Sequence, residues 1–176
     1  NYLELFDQAR VAGVLLTPLE EPLDVAHAVL GPGRPVVLVI ATSPDPLTCS
    51  VMVNEELGGY LAATHLLERG ARKLVFLAGC PDLRLIRRRL AGVERAVAEA
   101  GASLGVVAAP DLTISAGREV GRQVLLSQSV DGVVCPSDLL AVGVIQAATD
   151  LGIRVPDDLI VVGYDDNHFA SESSIP

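Results

Sequence analysis

Five residues stand where side chains could take hold of a small molecule: Thr17, Arg89, Ser137, Tyr164 and Asp165. Four lie just beyond an apolar run, and Arg89 lies near the start of an amphipathic segment. Two hydroxyls, a phenol, a guanidinium and a carboxylate are hydrogen-bonding groups. They suit recognition of a small polyhydroxy ligand better than bond breaking. On a helical wheel Arg89 falls about 60° from the stripe through Ile86, so it flanks the buried face. A guanidinium there can hold a hydroxyl pair or a carboxylate with two parallel hydrogen bonds. Its neighbours Arg87 and Arg88 read as a solvated helix face. Asp165 can accept from two sugar hydroxyls, and an Asx-turn bond to its own backbone is the equally supported reading. Ser137 and Asp138 read first as a helix cap and a first-turn acid, with ligand contact by Ser137 second. Asp165 and Asp166, adjacent on an extended strand end, point to opposite faces and form no catalytic dyad.

Nothing else assembles a reaction centre. The sequence has no GxGxxG, GxxxxGK[ST], GxSxG or HExxH pattern, and Gly58-Gly59 lies inside a helical pattern. His27, His65 and His168 are far apart, and Cys49, Cys80 and Cys135 form no CxxC pair. A structural metal site and a disulfide framework are therefore not expected, and Cys80 and Cys135, at the ends of apolar runs, read as core residues. The expectation is a protein without cofactor or metal that is not an enzyme. An α/β enzyme built on Asp165 or Asp138 would lack a base, a nucleophile and a metal.

The elements that must position these groups follow from the apolar pattern. Runs at 11–17, 35–41, 73–79, 106–109, 132–135 and 159–163 are β-branched and mostly apolar at every position, the pattern of strands buried on both faces of a parallel sheet. Helices are predicted over 54–69 with Gly70 as the stop, 85–100 with Gly101, 118–128, and 137–151 with Gly152. Alternation of this kind gives βαβ units, whose ligands bind beyond the carboxyl ends of the strands. The segment 42–53, with two prolines, reads as the crossover between two lobes: a first over 1–53 with two strands, and a second over 54–176 with four strands and four helices.

Composition sets limits on partners. Thirteen basic against 22 acidic residues give a net charge of −9, so nucleic acid cannot be held through phosphate neutralisation by this chain. The acidic pairs Glu20-Glu21, Glu55-Glu56, Asp157-Asp158 and Asp165-Asp166 read as solvated loop ends and helix starts. No apolar stretch is long enough to span a membrane. Three scattered cysteines fit a reducing compartment, so a cytoplasmic location is expected.

Three stretches resemble the lactose/galactose-repressor (LacI/GalR) family of bacterial transcription regulators: VNEELGGYLAATHLLERGARKLVFLAG at 53–79, RRRLAGVERAVAEAG at 87–101, and DGVVCPSDLLAVGVIQAATDLGIRVPDDLIVVGYDD at 131–166. AGVLLTP at 12–18 is a weaker match. The resemblance implies an α/β, periplasmic-binding-protein-like fold of type I, with two Rossmann-like lobes, parallel sheets and a small effector, sugar- or nucleobase-like, in the cleft between them. It implies effector contacts by Arg89 and Asp165, with Ser137 lining the cleft. It also implies a homodimer whose operator contacts belong to a helix-turn-helix headpiece outside this chain, controlled allosterically by the effector. Against the family pattern the first lobe is incomplete and the second nearly complete. The alternative is a periplasmic sugar-binding receptor of an ABC importer, which shares the fold. If the assignment holds, Arg89→Ala or Asp165→Asn weakens effector binding by about 1.5–3 kcal/mol and leaves the fold intact.

Overall fold

The computed structural model describes residues 5–6, 8–17, 34–41, 46 and 48–171. The chain divides into two compact units, Asn1–Asn54 and Glu55–Pro176. In the first, β1 (Val14–Leu16), β2 (Val36–Val39) and β3 (Cys49–Val51) form a parallel sheet in that order, with Val14 against Val36 and Val37 against Cys49. Val14, Val36, Leu38 and Ala41 form its small core. The crossover reading of 42–53 missed β3. It is only three residues long, Cys-Ser-Val, too short for a periodicity to stand out, and all three are exposed.

The second unit is a four-stranded parallel sheet in the order β5-β4-β6-β7, with β4 at Lys73–Gly79, β5 at Ser103–Ala109, β6 at Gly132–Val134 and β7 at Ile160–Val162. The helices are α1 (Glu55–Glu68), α2 (Arg84–Glu99), α3 (Ile114–Ser127), α4 (Asp138–Asp150) and the single turn α5 (His168–Ser171). Side chains of β4 alternate between two cores. Leu74, Phe76 and Ala78 meet α1 and α2 on one face, through Ala63, Leu66, Val93 and Val97. Val75 and Leu77 meet α3 and α4 on the other, through Val120, Val124, Leu140 and Val144. Only the inner strands match the expectation of burial on both faces. β6 is buried throughout, whereas β5 at the edge leaves Val106 exposed and β7 is half-buried.

Local chemistry sets the helix ends. Ser137 Oγ accepts from the Leu139 N–H at 3.2 Å and starts α4. Thr113 Oγ1 accepts from the Ala116 N–H at 3.2 Å and starts α3 at Ile114, four residues before the expected start. Gly101 and Gly152 stop α2 and α4 with φ of 62° and 71°, the left-handed conformation that a side chain disfavours.

The helices on each face cross at glycines. A Cβ on Gly59 would overlap the Arg89 carbonyl, and one on Gly92 the Glu56 carbonyl, so α1 and α2 pack backbone to backbone. Gly117 and Gly143 do the same for α3 and α4. Gly58-Gly59 therefore serves close approach within the protein, a role that a helical pattern alone does not show.

Candidate functional site

Strand order places the candidate site. From β4 the chain moves to β5 on one side and then returns past β4 to β6 on the other, so the order switches between β4 and β6. A crevice beyond the carboxyl ends of the strands opens at such a switch. Arg89, Pro136, Ser137, Tyr164 and Asp165 follow β4, β6 and β7 at this end of the sheet.

Arg89 is the centre of the cluster, and it is buried, with 8% of its side chain exposed. Its Nε donates to Glu55 Oε2 at 2.6 Å, and its Nη1 donates to the Pro136 carbonyl at 2.6 Å. Its guanidinium lies over the Tyr164 ring, 3.5 Å from the centroid. Nη2 points to Asp165, with Oδ1 at 3.6 Å. The Gly59–Gly92 crossing brings the two helices close enough for Glu55, in the first turn of α1, to reach Arg89 on α2. Gly58 leaves the space that the Tyr164 hydroxyl occupies.

Two expectations need correction here. Glu55 was read with Glu56 as part of a solvated helix start, but it is buried at 2% exposure. The carboxylate that Arg89 grips is therefore the protein's own. Nothing in the residue string distinguishes Glu55 from Glu56, since both are first-turn acids. Second, Arg89→Ala should cost stability as well as binding, because it leaves a buried carboxylate without its partner.

Asp165 is presented differently. Half of its side chain is exposed. Partial burial pushes its carboxyl pKa up; Arg89 opposes the shift, and the negative charges of Asp138 and Glu55 add to it. It does not end an extended strand. Asp165 and Asp166 have φ of 98° and 53°, so both lie in the left-handed region in a turn after β7. Asp138 anchors that turn. Its Oδ2 accepts from the Asn167 N–H at 2.8 Å, and its own N–H donates to the Tyr164 carbonyl at 3.0 Å. Burial, followed by the charge of Glu55, raises the Tyr164 phenol pKa, and Arg89 opposes it.

The remaining candidates are placed as follows. Ser137 is buried with its hydroxyl on the α4 cap. Thr17 is exposed just past β1, in the other unit. His65, Arg87 and Arg88 are exposed. Cys135 is buried next to Asp138, and burial raises its thiol pKa far above the ordinary value. Cys80 is only half-buried and has a φ of 50°, so the core reading holds for Cys135 and not for Cys80. Among the described residues no group of His, Cys, Asp and Glu could hold a metal ion, and no helix is long and apolar enough to cross a membrane.

Known proteins share this arrangement of elements. Residues 63–176 match the periplasmic binding protein-like domain. The chain is 34% identical over 170 residues to the HTH-type transcriptional repressor PurR of Erwinia tasmaniensis, covering 93% of this chain and 50% of that protein. It is 28% identical over 180 residues to PurR of Photobacterium profundum, covering 100% of this chain and 54% of that protein. The chain thus spans about half the length of these repressors. A LacI family transcriptional regulator from Enterococcus faecium, solved with bound ribose, superposes with a TM-score of 0.87 at 21% identity, over 98% of this chain and 65% of that one. The parallel sheets and the three matching stretches lead to one assignment: the chain belongs to the periplasmic-binding-protein-like family, as the ligand-binding domain of a LacI/GalR-type transcriptional regulator.

Proposed function

We propose that this domain binds a small, hydroxyl-rich effector, sugar- or nucleobase-like, at the carboxyl ends of β4, β6 and β7, with Asp165 as the principal polar contact. The observation that carries this reading is the pairing of a half-exposed carboxylate with a guanidinium already fixed on three sides. Asp165 accepts from ligand hydroxyl or N–H groups. Arg89 contributes through Nη2, the nitrogen that turns toward Asp165. Tyr164 supplies the surface under the guanidinium, and Ser137 is a secondary contact. The bound ribose of the Enterococcus faecium regulator supports the sugar-like class.

In the whole protein, a cytoplasmic homodimer, effector occupancy would bias the affinity of a headpiece outside these residues for operator DNA. The similarity to two HTH-type repressors favours this over an importer receptor of the same fold. The test is calorimetric titration of the whole protein with a panel of neutral sugars and nucleobases, then of the Asp165→Asn variant with the ligand found. Binding weakened by about 1.5–3 kcal/mol with unchanged thermal stability is the expected result. Undiminished affinity in the variant would remove Asp165 from the site. A gel shift of the isolated domain should show no operator binding at physiological salt, given its net charge of −9.

A further inference from the structure

The Arg–Asp pair of the proposed effector site leaves open whether the ligand is neutral or anionic, because a guanidinium serves a sugar hydroxyl and a carboxylate equally well. The structure narrows that choice. Glu55 takes the Nε–H of Arg89 at 2.6 Å and is itself buried at 2% exposure, so this charge is already neutralised inside the protein. The Pro136 carbonyl takes the Nη1 side, and Tyr164 covers one face of the guanidinium plane. The Nε–H, one Nη1 hydrogen and one face of the guanidinium are thus engaged within the protein before any ligand arrives. Within the cluster itself, Arg89 brings one positive charge, whereas Glu55, Asp138 and Asp165 bring three negative ones.

We infer that Glu55 sets the charge selectivity of the site: by occupying Arg89 from within, it makes the site accept a neutral, donor-rich ligand and reject an anionic one of the same size. A ligand meeting Asp165 must bring hydrogens to share, as hydroxyl, amide or amine groups do. A ligand carboxylate or phosphate would meet an acceptor of like charge beside a guanidinium whose own charge Glu55 already balances. Glu55 acts through Arg89 and has no need to touch the ligand, so it is a positioning residue. This inference rests on the proposed effector site.

The experiment uses the whole protein and pairs of probes matched in size: D-glucose against D-gluconate, and uracil against orotate. The expected result is a preference for the neutral member, narrowed by about tenfold or more in Glu55→Gln, which keeps the shape of the side chain and removes its charge. Inorganic phosphate, titrated at constant ionic strength while NMR follows the Arg89 Nε–H, supplies a measurement on the unmodified protein. No saturable shift is expected there. A saturable shift, or an anionic probe bound more tightly than its neutral partner, would overturn the inference. So would a folded Glu55→Gln variant with unchanged preference. If the preferred anion is weakened by Asp165→Asn, the site stands and only the charge selectivity fails. If a neutral probe binds and Asp165→Asn leaves it untouched, the site itself is wrong.

Discussion

Two sets of the same three residue types lie between α1 and α2. Glu55, Arg89 and Tyr164 form one, and Glu56, Arg95 and Tyr60 the other. Both glutamates belong to the first turn of α1 and both arginines to α2, and each guanidinium covers a tyrosine ring, at 3.5 Å and 4.4 Å from the centroids. The ion pairs are similar in length, 2.6 Å and 2.9 Å. Their surroundings differ. Side-chain exposure is 8% and 3% in the first set, and 47% and 49% in the second. In the exposed set water competes for every group, and the Tyr60 hydroxyl spends its proton on Glu99 at 2.7 Å, a bond that raises its pKa. In the buried set each polar atom depends on its partner, because an unpaired charge there has no solvent to turn to. Bond length therefore says little about what a pair does. Burial makes one set a rigid platform and leaves the other a surface decoration.

The largest effect should come from breaking the buried set on one side. Arg89→Ala should lower stability by about 3–5 kcal/mol in urea unfolding, because Glu55 remains buried and unpaired. The double variant Glu55→Leu with Arg89→Met should recover most of that loss. If the single variant were as stable as the parent, the contrast between the two sets would collapse.

A smaller effect tests how the helices are held together. Gly59→Ala puts a Cβ into the Arg89 carbonyl and should cost about 1–3 kcal/mol by the same measurement. It should also weaken effector binding by moving α2 and its arginine. Exposed Arg95→Ala should cost no more than about 0.2–1 kcal/mol, and less at high salt. A loss as large as that of Arg89→Ala would mean that exposure is not what separates the sets.

The smallest effect extends the contrast to a third arginine. Arg154 donates to both oxygens of Asp158, at 2.7 Å and 2.6 Å, on the surface. These bonds, with the Arg154 backbone N–H that donates to Oδ2 at 3.0 Å, lower the Asp158 pKa from 3.8 to about 2. A depressed carboxylate pKa contributes stability above the ordinary value, and that contribution is lost as pH falls from 3.8 through about 2. Arg154→Gln should return the Asp158 titration toward 3.8, followed by carboxyl-carbon NMR, with little change in thermal stability at neutral pH. An unmoved titration would show that the Arg154 side chain is not the cause, leaving its backbone N–H as the source of the shift.

Much of the scaffold was legible because it is written in local periodicity. Uniform apolar runs at 73–79 and 132–135 become β4 and β6, and Ser137 and Gly152 bracket α4 as cap and stop chemistry requires. β3 and the start of α3 were missed for equally local reasons. One is three exposed residues, and the other begins at a Thr113 cap that the apolar stripe does not reach.

The site divides along another line. Strand-end position made Tyr164 and Asp165 candidates and a helical wheel made Arg89 one, and the structure brings the three side chains together. The sequence also held the family signature in its three matching stretches. It could not tell Glu55 from Glu56, or show that Gly58-Gly59 makes room for Tyr164 and for the backbone at Arg89. Those facts depend on how closely distant segments pack: α1 against α2 for Glu55 and Arg89, 34 residues apart, and α1 against the turn after β7 for Gly58 and Tyr164. Only the tertiary structure decided which glutamate lost its water, and with it that Arg89 is already bound within the protein.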